Sequence, residues 1–562
     1  MVKKLFQVLF MIPVLSMADD LPLIQTVDMV PLNTETYGIH RDQGPKIPTD
    51  IWKNLERQQI ADLLKHLPPH QPNSILGRIQ KSLLLASTKV PSSSKTLPEA
   101  PRDNMLKLRI LHLKNTWHTE EAYLLAKRHP DVLTDEEWGW LEFSYYLQLE
   151  NYQQALKIAK DNFAKKPEGM WSKAMIGLQL LKGEKDAALL GLSLMEENPS
   201  PENNTFMHIA KSVAQGTAIA DDFSPTDMIE LKLWLKGREK KILQLSPEFL
   251  PVLIASKEFK SLEAKEKLLA AEVAFKQGIL SLGTLKELYQ EHGKTSEQEE
   301  KVDLSDLEAL TKEGTKEGLG LGVSLPPVPF DAERNDPVIR AQLYTKIQSA
   351  KDMREKALFI AQFIQHTLKH QLSHLGHVII EHLKTVSVQK AFEAHAPSFA
   401  EVLLRFHEQD LGTRWLSFLT VEDKKVLAPL ILIGLDSISL EAKQNLFSLW
   451  YAQTHEAKKT PVACLMTLGI FEAMVPGITK YRMTSIRPSV HHSRLKTPDM
   501  LWQLPLALSH QHGMALIYAL ILGADMEGSK EYTGLPLLLS ALKTLGYGKE
   551  AKELALLHLL SP

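Results

Sequence analysis

The chain has 562 residues, of which 44% are hydrophobic, so it can bury large cores and is too long for one small domain. Its 65 Lys and Arg residues nearly balance 67 Asp and Glu residues, which leaves a formal net charge of −2 at pH 7. A nearly neutral chain has no global field that attracts nucleic acid or an anionic bilayer, so we expect no nucleic-acid partner.

The first twenty residues, MVKKLFQVLFMIPVLSMADD, have the form of a secretory signal peptide. Lys3 and Lys4 precede an apolar stretch, Leu5–Leu15, and Ser16-Met17-Ala18 then places small residues where a signal peptidase reads. This apolar stretch is shorter than the roughly 20 residues that span a bilayer. We therefore predict a signal peptide over residues 1–18, with cleavage after Ala18 and no membrane span in the mature chain.

Cysteine usage indicates the compartment. The single cysteine, Cys464, excludes an internal disulfide, whereas secreted eukaryotic chains of this size usually carry several. We therefore predict a bacterial periplasmic protein, with secretion as the second choice. The segment PVACLMTLGIFEAM around Cys464 has an apolar helical pattern, which predicts a small buried hydrophobe at this position.

Residues 19–103 are Pro-rich, and we predict an irregular segment with two short helices, in TDIWKNLERQQIADLLKHL and NSILGRIQKSLLLAS. From residue 104 to 291 the apolar spacing becomes i, i+3, i+4, i+7, which predicts a helical array. Ala122, Ala155 and Ala188 recur every 33 residues, and Pro closes each unit. Small residues let two helices approach closely, so the pattern predicts a repeated helical hairpin.

The period and residue types of this array resemble a tetratricopeptide repeat. The unit that matches best contains Trp140, Tyr146, Tyr152, Ala155 and Pro167. Glu142 and Phe143 depart from the pattern, because they stand where that family prefers a Leu and a Gly. Features near both ends of the chain also resemble a group of exported bacterial helical-repeat proteins. The tetratricopeptide resemblance implies an α-solenoid and a role in binding other proteins, whereas the resemblance to the exported proteins implies the architecture only.

Residues 292–335 combine charge runs with clustered Gly and Pro, and we predict a flexible linker. Its GLGLG motif, Gly318–Gly322, lacks the preceding strand and following helix that a phosphate loop requires. Residues 336–562 return to helical spacing. Their last hairpin again places Ala551 and Ala555 one turn apart, so we predict an all-α protein with a second helical array after the linker.

The stretch IQHTLKHQLSHLGHVIIEH is rich in histidine. At about 100° per residue, one helix face carries His366, His370, His374 and His377. Four ligands in a row on one helix cannot surround a single ion, so no metal site is predicted. Two interpretations remain open: a polar face that happens to use histidine, and a pH-responsive face that gains charge between pH 7 and pH 5.

The segment KYRMTSIRPSVHHSRLK has the strongest local excess of positive charge. Its five cations are Lys480, Arg482, Arg487, Arg494 and Lys496. Arg forks suit carboxylate and phosphate groups, so this segment is a candidate surface for acidic protein segments or anionic envelope groups. The alternative is a solvated loop between helices.

No nucleophile elbow, Walker loop or Cys/His pair is recognisable, so we predict no catalytic residues and no cofactor. Stacked hairpins leave an extended surface for binding. We expect a non-catalytic scaffold or adaptor that binds a protein or cell-envelope component. The candidate contacts are Trp138, Trp140, Tyr145 and Tyr146, with interhelix packing as the alternative for at least half of them. The alternative function is an enzyme acting on cell-wall polymer; neither hypothesis fixes an oligomeric state.

Overall fold

The computed structural model describes residues 34–39, 45–69, 71, 74–91, 104–197, 203–217, 219, 225–237, 249–254, 256, 259–260, 262–277, 279–295, 336–370, 372–456, 461–475, 478, 499–529, 532 and 534–559. These residues contain 25 α-helices, a few short 3-10 turns and no strand. The predicted all-α class is therefore confirmed. Residues from Glu35 onward form one compact unit. The predicted signal peptide and most of the predicted linker, residues 296–335, lie outside the described residues.

The helices before the predicted linker form the first set. They are α1 (Arg57–Lys65), α2 (Ser74–Leu85), α3 (Met105–Asn115), α4 (Thr119–Ala126), α5 (Asp135–Gln148), α6 (Tyr152–Phe163), α7 (Met170–Lys182), α8 (Lys185–Glu197), α9 (Asn204–Gln215), α10 (Met228–Gly237), α11 (Leu250–Ile254), α12 (Ala264–Lys276) and α13 (Leu282–Thr295). Helix α13 thus extends into the segment predicted as linker.

The helices after the predicted linker form the second set. They are α14 (Pro337–Ser349), α15 (Met353–Lys369), α16 (Gly376–Lys384), α17 (Ala396–Arg405), α18 (Gln409–Trp415), α19 (Val421–Gly434), α20 (Leu440–Glu456), α21 (Pro461–Met474), α22 (Met500–Leu508), α23 (His512–Ser529), α24 (Leu535–Thr544) and α25 (Gly548–His558). None of the described helices has the combination of length and apolarity that crossing a bilayer requires.

In the structure, the repeat that was predicted from recurring small residues is a helical hairpin. Helices α3 and α4, α5 and α6, and α7 and α8 pack as neighbouring pairs. The alanines that recur in the second helix of each pair, Ala122, Ala155 and Ala188, are fully buried. Ala551 and Ala555 are buried in the same way in α25, which packs on α24. The predicted helical-repeat architecture is therefore confirmed at both ends of the chain.

The two sets of helices contact each other directly through α13 and α14. At Gly293 an added Cβ would lie 2.2 Å from Thr345 Oγ1 and 2.4 Å from the Ala341 carbonyl oxygen. Only Gly permits this approach of the two backbones. A buried guanidinium on α14, that of Arg340, also reaches the carboxylate of Glu272 on α12.

Residues 45–91 pack against the C-terminal helices. Asn54 donates its side-chain amide to the His510 carbonyl at 3.0 Å, and Gln71 donates to the Leu520 carbonyl at 2.9 Å. Arg78 on α2 forms an ion pair with Glu553 on α25. The two helices predicted in this segment are thus bound to the other end of the sequence.

These contacts predict that the two halves hold together without the connecting segment. A specific protease site inserted after residue 314 should allow complete cleavage, yet the two fragments should co-elute by size exclusion. Substituting Gly293→Val in the same background should weaken association, because the β-carbon meets backbone atoms of α14. Separation of the unmodified fragments after cleavage would contradict the prediction.

Candidate functional site

Helix α5 carries the aromatic positions predicted as contacts, and its first residues set their orientation. Thr134 caps the helix by accepting from the Glu137 backbone N–H at 3.2 Å, while the Glu137 carboxylate accepts from the Thr134 N–H at 2.8 Å. This reciprocal capping box fixes the start of the helix. Trp138, Glu142 and Tyr145 then follow at spacings of four and three, which places them on one face.

The turn after α5 is also tightly specified. Glu150 adopts a left-handed backbone with φ +57°, and its carboxylate receives the buried ammonium of Lys232 at 3.3 Å. Asn151 caps α6 by accepting from the Gln154 N–H at 3.2 Å. The α5–α6 hairpin is therefore held at both ends of α5, which makes its aromatic face a preorganised surface.

The rings form a stack between α4 and α5. Tyr123 of α4 lies between Trp138, at 5.6 Å with 14° between the ring planes, and Tyr145, at 3.9 Å with 11°. Tyr146 meets Tyr123 edge-on at 6.2 Å. Such pairs contribute about 0.5–1.5 kcal/mol each beyond area burial. Tyr123 is buried, whereas Trp138, Tyr145 and Tyr146 remain partly exposed.

Trp140 belongs to the core instead. It is 5% exposed and lies 5.1 Å from Phe143 and 5.5 Å from Trp171, measured between ring centroids. Its role is to pack α5 against α7. Of the four aromatic candidates, the structure therefore leaves three with ring surface that a partner can contact.

Glu142 is partly exposed on α5, one helical turn after Trp138 and one turn before Tyr145 and Tyr146. Burial raises the pKa of its carboxyl group, and Lys127 opposes that effect. Within the described residues, no hydrogen bond or ion pair reaches the Glu142 carboxylate. Its charge also helps to raise the pKa of Tyr123, after burial and the hydrogen bond with Tyr146. The result is a partly buried anion that no described residue neutralises by direct contact.

We call the exposed parts of Trp138, Glu142, Tyr145 and Tyr146 the α5 surface. Sequence reasoning named its aromatic members and missed its carboxylate. The signal was present, because Glu142 is an acidic residue where the repeat pattern expects Leu.

The spacing of the histidine-rich stretch predicted one continuous helix, but the structure contains a break. Helix α15 ends at Lys369, a 3-10 turn spans Ser373–Leu375, and α16 begins at Gly376. The break brings α16 against Phe406, since a Cβ at Gly376 would lie 2.3 Å from its ring. The histidines consequently lie on two helices and the turn between them.

Each of the four histidines is at least partly buried against other helices. His377 lies 3.9 Å from Phe406, measured between ring centroids, and His366 lies 4.7 Å from His370. Burial lowers the pKa of His374 to about 3 and that of His377 to about 4. These two imidazoles are therefore neutral between pH 7 and pH 5. They gain a proton only at a lower pH than an ordinary histidine does.

His366 joins a buried polar cluster. Arg340 Nη1 lies 3.4 Å from His366 Nδ1, and a guanidinium can only donate, so this nitrogen accepts. Arg340 also donates to both carboxylate oxygens of Glu272, and the Tyr289 hydroxyl donates to Glu272 at 2.6 Å. The arrangement fastens α12, α13, α14 and α15 together.

The remaining candidates are a metal site, the cationic segment and Cys464. Within the residues that the structure places, no cluster of three or more His, Cys, Asp or Glu side chains has metal-binding geometry. The predicted cationic segment, Lys480 to Lys496, lies outside the described residues. The side chain of Cys464 also lies outside the described part of the structure.

No protein-family model, curated protein or solved structure matches this chain.

Proposed function

We propose that this chain is a non-catalytic scaffold or adaptor of the bacterial periplasm, exported by its N-terminal signal peptide. It binds a protein or cell-envelope partner through tetratricopeptide-like hairpins. The single observation that carries the proposal is the α5 surface, where partly exposed rings lie one helical turn from a carboxylate that has no hydrogen bond or ion pair among the described residues. Rigid aromatic rings are favoured contact residues because they bury much area for little lost side-chain entropy.

The α5–α6 hairpin supports this role because it presents the surface without needing to rearrange. The capping box, the Glu150–Lys232 pair and the three-ring stack fix the backbone and two of the rings. Preorganised surfaces lose less entropy on binding. Leu149, which is 52% exposed, extends the apolar area by one helical turn beyond Tyr145.

Site-specific photocrosslinking in intact cells tests the proposal. A photoreactive amino acid at Tyr145 should capture a defined partner from the periplasmic fraction, whereas the same amino acid at Glu184, exposed in the α7–α8 turn, should not. Deleting residues 1–18 should abolish both export and capture. Equal capture at the two positions, capture at neither, or an uncleaved cytoplasmic protein would contradict the proposal.

A further inference from the structure

We propose that the α5 surface recognises a cationic side chain, Arg or Lys, of a protein partner. The inference deepens the proposed function and rests on it. A guanidinium or ammonium group placed here would meet aromatic faces and a carboxylate together. That combination of ring face and anion is what a cation needs in order to leave water.

The geometry places the two kinds of group within reach of one ligand. Glu142 lies one helical turn after Trp138 and one turn before Tyr145, so its carboxylate projects between the two rings along the helix. Trp138 and Tyr145 are themselves nearly parallel to the buried Tyr123 ring that separates them. A flat guanidinium can therefore stack on an outer ring while its N–H groups reach Glu142.

The charges around the surface favour a cation over an anion. The charge of Glu142 acts on the Tyr123 hydroxyl, and the charge of Glu120 acts on the Tyr145 hydroxyl. The nearby cation that contacts the stack is Lys127. Lys127 Nζ lies 5.7 Å from the centre of the Tyr123 ring. The Lys127 ammonium is thus within cation–π distance of the Tyr123 ring, on the side of the stack that α4 contributes.

The partly buried carboxylate gives the site its selectivity. Burial already raises the pKa of Glu142, so an incoming cation that pairs with it relieves an existing electrostatic penalty. A neutral ligand of the same shape would gain the ring contact without this relief. Binding should therefore depend on the charge of the ligand and on Glu142 together.

Fluorescent hexapeptides test the inference on the mature full-length chain at physiological ionic strength. Hexa-arginine should bind at least about 10-fold more tightly than hexa-citrulline, which has the same shape and no charge. Glu142→Gln should weaken hexa-arginine binding about 10-fold, and Tyr145→Leu should weaken it by a similar factor. The matched control is Glu136→Gln, which removes one exposed carboxylate from the same helix and should leave binding unchanged.

Three results would overturn the inference. They are equal binding of the charged and uncharged peptides, equal losses for the variants of Glu142 and Glu136, and no binding at all. Because Gln is nearly isosteric with Glu, helical circular dichroism should verify that Glu142→Gln stays folded. If photocrosslinking at Tyr145 succeeds while hexa-arginine fails to bind, the cation preference alone is lost and the binding function stands.

Discussion

Replacing Arg340 by Met is expected to lower the free energy of unfolding by about 3–5 kcal/mol, because it leaves a buried carboxylate without its counterion. Arg340 is fully buried and Glu272 is 2% exposed. Burial lowers the pKa of Arg340, but the stronger combined influence of Glu272 holds it above its ordinary value. Urea denaturation followed by helical circular dichroism measures the loss.

Two further variants distinguish the cost of an unpaired buried charge from the cost of losing any ion pair. Arg340→Met combined with Glu272→Gln should recover much of the stability, since no uncompensated charge is then buried and Gln can still accept from Tyr289. Lys166→Met, which breaks an exposed ion pair with Glu136, should cost less than about 1 kcal/mol. A loss of that small size for Arg340→Met would show that the cluster does not hold the two sets of helices together.

The sequence predicted the hairpins well because their determinants are local. Alanine at a fixed period, with apolar residues at helical spacing, requires only that one helix approach its neighbour, and Ala122, Ala155 and Ala188 are buried accordingly. The contact between Arg340 and Glu272 has no such local signature. The two residues are far apart in sequence, with the predicted linker between them, and no pattern within either helix marks them as partners.

The histidine stretch shows where periodicity misleads. Its spacing fits one helix, yet α15 ends at Lys369, and α16 begins at Gly376, where the backbone packs closely on Phe406. That packing depends on a helix contributed later in the sequence. The tertiary contact therefore outweighs the local helical preference, and it also buries the imidazoles whose solvation the pattern could not reveal.

The sequence predicted the aromatic members of the candidate binding surface but not its carboxylate. Trp138, Tyr145 and Tyr146 stand out by residue type, and the structure leaves part of each ring exposed. Whether Trp140 belongs with them depends on Trp171, which covers it from α7. Burial by a neighbouring repeat cannot be read from a single helix. Glu142 was noted only as a departure from the repeat pattern, although its location one helical turn from the rings carries the binding proposal.

Acid should destabilise the fold through His374 and His377. Their folded-state pKa values of about 3 and about 4 lie below the ordinary value of 6.5. The unfolded chain therefore binds more protons, and stability falls as pH drops below about 6.5, until pH passes the folded pKa. From pH 7 to pH 5 each group should contribute a loss on the order of 2 kcal/mol.

The surrounding charges explain why these imidazoles resist protonation. After burial, the groups that lower the pKa of His374 are Lys276, Arg340 and His377. Around His377, the cationic or titratable groups that lower its pKa are Arg78, His407 and Lys286, while Glu553 opposes them. Protonation would add positive charge to a junction contributed by helices from both halves of the chain.

Comparing unfolding free energies at pH 7 and pH 5 tests this account. The double variant His374→Gln, His377→Gln should lose about 4 kcal/mol less than wild type over that range, because Gln binds no proton in either state. Ser373→Ala, in the 3-10 turn immediately before His374, serves as the matched control and should keep the wild-type pH dependence whatever its effect at pH 7. If the double variant also keeps that dependence, the acid sensitivity originates elsewhere, since removing both groups must flatten the curve if their burial causes it.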